Sequence, residues 1–169
     1  PPLDSDRSTH ASPVPVAIVG RDAPAVGAGA PAVRFEGGIE LRWAELPESF
    51  SRGTSAEPAT LPVLLRWSTG TQIDRDWQAF VHLLSAQGDR AATADGPPGP
   101  YWPASRWLPG LAVPDPREVP VGDVPSGRYQ VSVGLYDLAT GERLGVRSEG
   151  ASGRGDGRDA VSIGWVELR

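Results

Sequence analysis

The sequence predicts an all-β fold: a single antiparallel β-sandwich, immunoglobulin-like or jelly-roll, over residues 33–169. Short strand-like runs separated by turn signals recur along the chain, and no window shows a convincing helical period. The 169 residues suffice for one domain with a sizeable core, and the 21 Gly and 18 Pro indicate many turns. Residues 1–32, rich in Pro, Ala and Gly, predict a flexible arm that could contribute one edge strand.

Two predicted strands precede residue 70. Apolar and polar residues alternate over 39–44 and again over 61–68, a period of two that is typical of a strand with one buried face. Between them, residues 46–60 combine Pro, Ser and charged residues without periodicity, which predicts an exposed loop. The side chains predicted to form the core, here and in the later strands, are Trp43, Leu65, Trp67, Val81, Leu83, Val131, Val133 and Leu135.

The rest of the chain is expected to be organised around residues 77–110. This stretch begins with a strand-like run, 77–84, that is largely apolar on both faces. An antiparallel strand usually exposes one polar face, so the side carrying Phe80 and Leu84 needs a cover. After a turn and a short return strand comes the Pro/Trp-rich segment, residues 95–110, with five prolines and three large aromatic residues. We expect this segment to fold over the Phe80/Leu84 face as a stiff loop.

The clearest strand pattern lies in the C-terminal third. Residues 118–125 predict a Pro-punctuated connection with one short strand, and residues 128–137 then alternate apolar and polar side chains. At the start of the second run, Tyr129 follows Pro125 by four residues, which resembles the tyrosine corner of immunoglobulin-like sandwiches.

The last connections carry three further predictions. Residues 137–142 predict a hairpin loop in which Gly141 adopts the left-handed conformation. Residues 148–158, rich in Gly, Ser and Arg, predict a mobile loop. The apolar positions of the final strand change phase near Gly164 and Trp165, which predicts a β-bulge there.

Composition narrows the range of partners. The formal net charge is −5 and the arginines are dispersed, whereas nucleic-acid and anionic-membrane surfaces need a concentrated basic patch. No apolar run reaches the roughly 18 to 20 residues that cross a bilayer. We therefore expect neither nucleic-acid binding nor direct membrane insertion. The absence of Cys excludes disulfides and thiolate metal sites.

Little in the sequence predicts catalysis or a cofactor. A nucleophile, base and carboxylate would have to be Ser105, His82 and Asp95, and no Gly-x-Ser-x-Gly elbow is present. Residues 156–159 lack the alternate oxygen ligands of a calcium loop. Residues 27–32 match the letters of a dinucleotide-binding loop, but no helical pattern follows them. The chain is expected to be no enzyme and to bind neither cofactor nor metal.

Several segments together resemble a known family. They occur in this order: Phe80–Leu84, residues 95–98, residues 101–110, Gly127–Asp137 and Thr140–Leu144. Over residues 33–168 the chain resembles the C-terminal soluble domain of some bacterial multi-pass membrane glycosyltransferases, similar to the protein mannosyltransferases that use lipid-linked sugars. The resemblance implies an extracytoplasmic domain, tethered to its parent enzyme by a membrane segment absent from this chain. It implies no catalytic residue.

The remaining candidate site combines aromatic and polar residues. Flat rings can cover the apolar face of a sugar while polar groups bind its hydroxyls. The candidate ligand-binding residues are His82, Asp95, Tyr101, Trp102, Arg106 and Trp107. The expected function is recognition of glycan or lipid-linked sugar for a membrane glycosyltransferase. The alternative is a structural module that packs on its parent enzyme or another protein without a small-molecule ligand. The glycan-binding function requires that the ring of at least one of Trp102 and Trp107 lies open to solvent, and it fails if both rings are buried.

Overall fold

Two five-stranded sheets pack face to face in the part of the chain that the structure describes. The computed structural model describes residues 32–53, 57–99, 102–147 and 159–169. Two short 3-10 turns, Glu36–Gly38 and Ala104–Arg106, accompany the strands. The strands are β1 (Val33–Phe35), β2 (Ile39–Glu45), β3 (Ser49–Phe50), β4 (Thr60–Thr69), β5 (Trp77–Leu84), β6 (Arg90–Gly96), β7 (Val113–Pro120), β8 (Gly127–Asp137), β9 (Val146–Arg147) and β10 (Val161–Leu168).

The sheet order confirms the predicted all-β sandwich. The first sheet has the order β7-β4-β2-β1-β9 and the second has the order β3-β10-β8-β5-β6. Neighbouring described strands pair antiparallel, except that β3 runs parallel to β10. Among the described residues no helix is long and apolar enough to cross a membrane. The predicted arm lies outside the described residues apart from residue 32, and the predicted loop at 148–158 lies wholly outside them.

The core lies between the sheets and contains most of the predicted side chains. Strand alternation sends one face of each long strand inward, so these side chains lose contact with water together. The predicted core residues with no exposed surface are Leu65, Trp67, Val81, Leu83, Val131, Val133 and Leu135. The prediction is therefore confirmed for seven of the eight residues named.

Trp43 is the exception. The register of β2 against β4 shifts between Leu41 and Trp43, and this irregularity reverses the facing of the residues that follow. Ala44 and Leu46 are buried in its place, whereas Trp43 is half-buried. The guanidinium of Arg66 lies over its ring at 5.3 Å from the centroid. The prediction that Trp43 belongs to the core was wrong because the apolar residues 39, 41 and 43 keep one phase in the sequence, so the pattern does not show this bulge.

Two predicted connections also contain more structure than expected. The segment 46–60 is not a continuous exposed loop, because Leu46 is buried and Ser49–Phe50 forms β3. The strand in the Pro-rich connection begins at Val113, five residues before the predicted range 118–125.

Three local predictions are confirmed. The hydroxyl of Tyr129 donates a hydrogen bond of 3.0 Å to the carbonyl oxygen of Pro125, which is the contact of a tyrosine corner. Gly141 has a φ of 72°, in the left-handed region. The pairing of β10 with β8 shifts between Ser162 and Gly164, where the bulge was expected. The first two features involve residues close in sequence, and the third shows as a change of phase within one strand, which is why the sequence predicts all three.

The described residues of the Pro/Trp-rich segment do not cover the Phe80/Leu84 face. Trp107 belongs to the core cluster between the sheets, and Phe80, although buried, lies outside that cluster on the other face of β5. At the return of the segment, the amide of Gly110 donates to the carbonyl oxygen of Thr69 at 2.8 Å. The apolar anchor of the segment thus enters the sandwich interior, and the expectation that it shields the outer face was wrong.

A buried ion pair joins the two sheets. On β7, Asp115 and Arg117 point inward with 2% and 8% of their surface exposed, and Arg117 Nε donates to Asp115 Oδ1 at 2.8 Å. Arg117 Nη2 also donates to the carbonyl oxygens of Gly96 and Pro97, at 3.1 and 2.9 Å. These carbonyls lie at the end of β6, in the opposite sheet. Trp67 Nε1 donates to Asp115 Oδ2 at 2.8 Å, so the pair is fixed from the core side as well.

Replacing Arg117 by Met should lower the free energy of unfolding by about 3–5 kcal/mol, because it leaves a buried carboxylate without its counter-charge. The double variant Asp115→Asn/Arg117→Met should cost less than the single change, since the amide still accepts from Trp67 and no charge remains buried. Urea denaturation followed by tryptophan fluorescence measures both. Arg66→Ala, an exposed arginine on the adjacent strand, is the control and should change stability by less than about 1 kcal/mol. A double variant as unstable as the single one would contradict this account.

Candidate functional site

Trp107 anchors the Pro/Trp-rich segment. It is 2% exposed, and its Nε1 donates to the carbonyl oxygen of Trp102 at 3.0 Å. The intervening turn is held from the loop before β5: Gln72 Nε2 donates to the carbonyl oxygen of Ser105 at 2.8 Å, and the amide of Ser105 donates to Asp76 Oδ1 at 3.0 Å. The segment is therefore fixed at both its backbone and its largest side chain.

Two described large apolar side chains of this segment, and one directly after it, are exposed. Trp102 is 62% exposed, Leu108 63% and Leu111 56%. Arg106 is also exposed and lies close enough to Asp76 for its charge to act on that carboxylate. Hydrogen bonds from the side chain and amide of Ser105, assisted by the charge of Arg106, lower the pKa of Asp76. The segment therefore carries an exposed tryptophan and an exposed cation, and the carboxylate of Asp76 bonds its turn from the loop before β5.

His82 and Asp95 lie elsewhere, on the outer face of the second sheet. The imidazole of His82 stacks on the ring of Phe80, with centroids 4.3 Å apart and planes inclined by 25°. The Phe80 ring lies across Gly134 on β8, where an added Cβ atom would be 2.2 Å from the ring. Only glycine leaves room for the ring at this position. The outer face of β5 is thus filled by an aromatic pair that lies flat against the sheet.

Charged groups surround His82 on this face. Burial lowers the pKa of His82, and the charges of Arg90 and Arg143 lower it further, whereas those of Asp95 and Asp159 oppose the shift. The net direction is downward, so the imidazole is neutral at pH 7. A neutral imidazole offers one hydrogen-bond donor and one acceptor.

Asp95 is held by its own partners. On β6 it lies directly opposite Phe80 in the pairing with β5, and it accepts a hydrogen bond from the hydroxyl of Thr93. Burial raises the pKa of Tyr136, and the charge of Asp95, together with a hydrogen bond to it, raises it further. Asp95 therefore accepts hydrogen bonds from neighbouring hydroxyls, an arrangement that orders this face.

An open pocket of about 440 Å³ lies on this outer face. Its lining comes from β5, the β5–β6 hairpin, the first residue of β6, β8, the loop between β8 and β9, and the two residues before β10. Its lining residues are Phe80, His82, Leu84, Gly88, Arg90, Ser132, Arg143, Asp159 and Ala160. Of these only His82 was a sequence candidate. Arg90, Arg143 and Asp159 are distant in sequence, and no motif indicated that the strand pairing brings them together.

The predicted aromatic and polar constellation is therefore divided into two groups. Trp102, Arg106 and Trp107 lie on the Pro/Trp-rich segment, whereas His82 and Asp95 share the outer face of the second sheet. The inward position of Trp107 and the outward position of His82 place them on opposite sides of that sheet. The remaining candidate, Tyr101, lies outside the described residues. No group of three or more His, Asp or Glu that could hold a metal ion occurs among the described residues.

Neither the protein-family models nor the curated proteins include a match to this chain. The resemblance to glycosyltransferase-appended domains therefore stays a prediction.

The two tryptophans of the segment should differ sharply in their contribution to stability. Trp107→Ala removes a buried anchor and should lower the free energy of unfolding by about 3–5 kcal/mol. Trp102→Ala should cost about 0.5 kcal/mol or less, because its side chain is mostly in water. Thermal and urea denaturation of both variants checks this. Equal, small shifts for the two would show that the segment is not part of the core.

His82 should make stability depend on pH. Because burial lowers its folded-state pKa below the usual value of 6.5, the unfolded chain binds the proton more tightly. The contribution of neutral His82 to the free energy of unfolding is fully present above pH 6.5 and is lost as the pH falls below that value. The free energy of unfolding should thus fall between about pH 7 and pH 5, and His82→Gln should reduce that fall. Urea denaturation at both pH values measures the difference. Equal losses in the two proteins would refute the assignment.

Proposed function

We propose that this domain is a non-catalytic module that recognises glycan or lipid-linked sugar through the Pro/Trp-rich segment. The observation that supports it is the position of Trp102: the ring is 62% exposed, while the backbone behind it is hydrogen-bonded to the buried Trp107. An aromatic ring held open to water on an anchored loop suits stacking against the apolar face of a pyranose.

Pre-organisation strengthens this proposal. Binding usually costs free energy because loops and side chains must be ordered, and a segment already fixed by internal hydrogen bonds avoids part of that cost. The bonds from Gln72 and to Asp76 hold the turn that follows Trp102. Arg106 and Asp76 supply a donor and an acceptor that suit sugar hydroxyls. Polar groups of this kind fix the orientation of a stacked sugar.

The resemblance supplies the biological setting of the proposal. A domain appended to a multi-pass membrane glycosyltransferase, on the extracytoplasmic side, would meet acceptor glycans or lipid-linked sugars beside its parent enzyme. The module would then raise the local concentration of substrate near that enzyme, which needs no catalytic residue in the module itself.

A second function is favoured by the exposed leucines. Leu108 lies on the same segment as Trp102, Leu111 directly follows that segment, and both are similarly open to water. Exposed apolar side chains grouped in one segment suit the centre of a protein–protein interface better than the hydroxyl-rich surface of a sugar. In this alternative the segment packs on the parent enzyme or a partner and binds no small molecule.

A glycan array probed with the whole chain separates the two functions. Trp102→Ala should abolish glycan binding without loss of stability, since stacking on one aromatic ring contributes much of the affinity of such sites. Trp165→Ala is the matched control, because Trp165 is also partly exposed, at 41%, but lies on β10. The control should bind like the unmodified domain. No glycan bound by the unmodified domain, or binding unchanged by Trp102→Ala, would reject the glycan proposal.

A further inference from the structure

The outer-face pocket has a stacked aromatic floor with polar walls. The floor is the Phe80–His82 pair, and the guanidinium of Arg143 lies over the Phe80 ring at 4.6 Å from its centroid. Ser132, opposite His82 in the β5–β8 pairing, adds a hydroxyl to the lining. A volume of about 440 Å³ falls within the range of small-ligand pockets. The space suits one monosaccharide-sized molecule rather than a polymer.

The charges in the lining leave one cation unmatched. Arg143 Nη1 contacts both carboxylate oxygens of Asp159 at 3.4 Å, so these two charges offset each other. Arg90 makes no ion pair with any other described residue and is exposed at the pocket rim. The lining therefore carries a local excess of positive charge, although the whole chain has a formal net charge of −5. This local sign favours an anionic ligand over a cationic one.

His82 is also compatible with an anionic ligand in this pocket. Because its imidazole is neutral at pH 7, it accepts and donates hydrogen bonds without adding a charge. A ligand that carries hydroxyls as well as an anionic group would use both His82 and Ser132. Asp95, the other carboxylate that acts on His82, is already engaged by Thr93 and Tyr136 and is not among the lining residues.

We propose that this pocket binds a small oxyanion-bearing ligand of monosaccharide size, with Arg90 contacting its carboxylate or phosphate group. Guanidinium binds both groups well, because its planar donors match two oxygen acceptors. The hydroxyls of the ligand contact His82 and Ser132, and its body lies beside the Arg143 guanidinium that covers the Phe80 ring. The site is separate from Trp102 and does not depend on the function proposed for the Pro/Trp-rich segment.

Three probes that share one sugar ring test the proposal: glucose, glucuronate and glucose 6-phosphate. Titration followed by amide chemical shifts should show binding of at least one anionic probe, with glucose weaker by about tenfold or more. Shift changes should centre on residues 80–84 and 132. Binding of glucuronate but not of glucose 6-phosphate would identify a carboxylate ligand. Binding of glucose 6-phosphate but not of glucuronate would identify a phosphate ligand. Raising the salt concentration should weaken binding, since the contact is exposed.

Two variants test whether Arg90 contacts the anionic group of the ligand. Arg90→Ala should weaken binding of the anionic probe by about tenfold and leave the fold intact, because Arg90 is exposed. Arg128→Ala is the control: Arg128 also lies on the second sheet, but over Trp165 and outside the pocket. It should leave affinity unchanged. The proposal is overturned if no anionic probe binds at about 10 mM, if glucose binds equally well, or if Arg90→Ala has no more effect than the control.

Discussion

The buried guanidinium of Arg117 is the constraint on which the packing of the two sheets depends. Removing an arginine from water costs several kcal/mol unless its donors are satisfied, and here Asp115 and carbonyl oxygens of the opposite sheet satisfy them. The strands β6 and β7 are edges of different sheets and exchange no ladder hydrogen bonds. Arg117 links these edges through its side chain and so closes the sandwich along this side. Prolines alternate with the inward residues of β7, and they prevent this edge from pairing with a further strand.

Burial of the second sheet on both faces produces two chemically different surfaces. The inner face packs against the first sheet and receives Trp107, which in turn leaves Trp102 open on an anchored loop. The outer face is covered locally by Phe80 lying across Gly134, and this flat pair leaves space above it for a polar pocket. An exposed ring and a cationic pocket suit different parts of a ligand, so the two sites need not act on the same molecule.

Much of the fold could be predicted because it follows from local chemistry. The alternation over β8, the glycine in the hairpin loop and the hydroxyl contact of Tyr129 all involve residues close in sequence. The candidate site was predicted less well. Its candidate residues are divided between two places, and the arginines of the pocket, Arg90 and Arg143, were missed. They lie 53 residues apart and meet only because β5 pairs with β8 and with β6.

The sequence by itself determined the fold class, the main strands and most of the core, because side-chain alternation and turn chemistry report which backbone conformation each segment prefers. Only the tertiary structure decided three things. It turned Trp43 outward through a shift in register, it buried the charged pair of β7, and it sent the anchor of the Pro/Trp-rich segment inward. Each outcome depends on partners from distant parts of the chain. Whether a charged side chain can be buried, or an aromatic ring lies outside the core, depends on the groups that surround it in the folded protein. A local sequence pattern does not contain information about those groups.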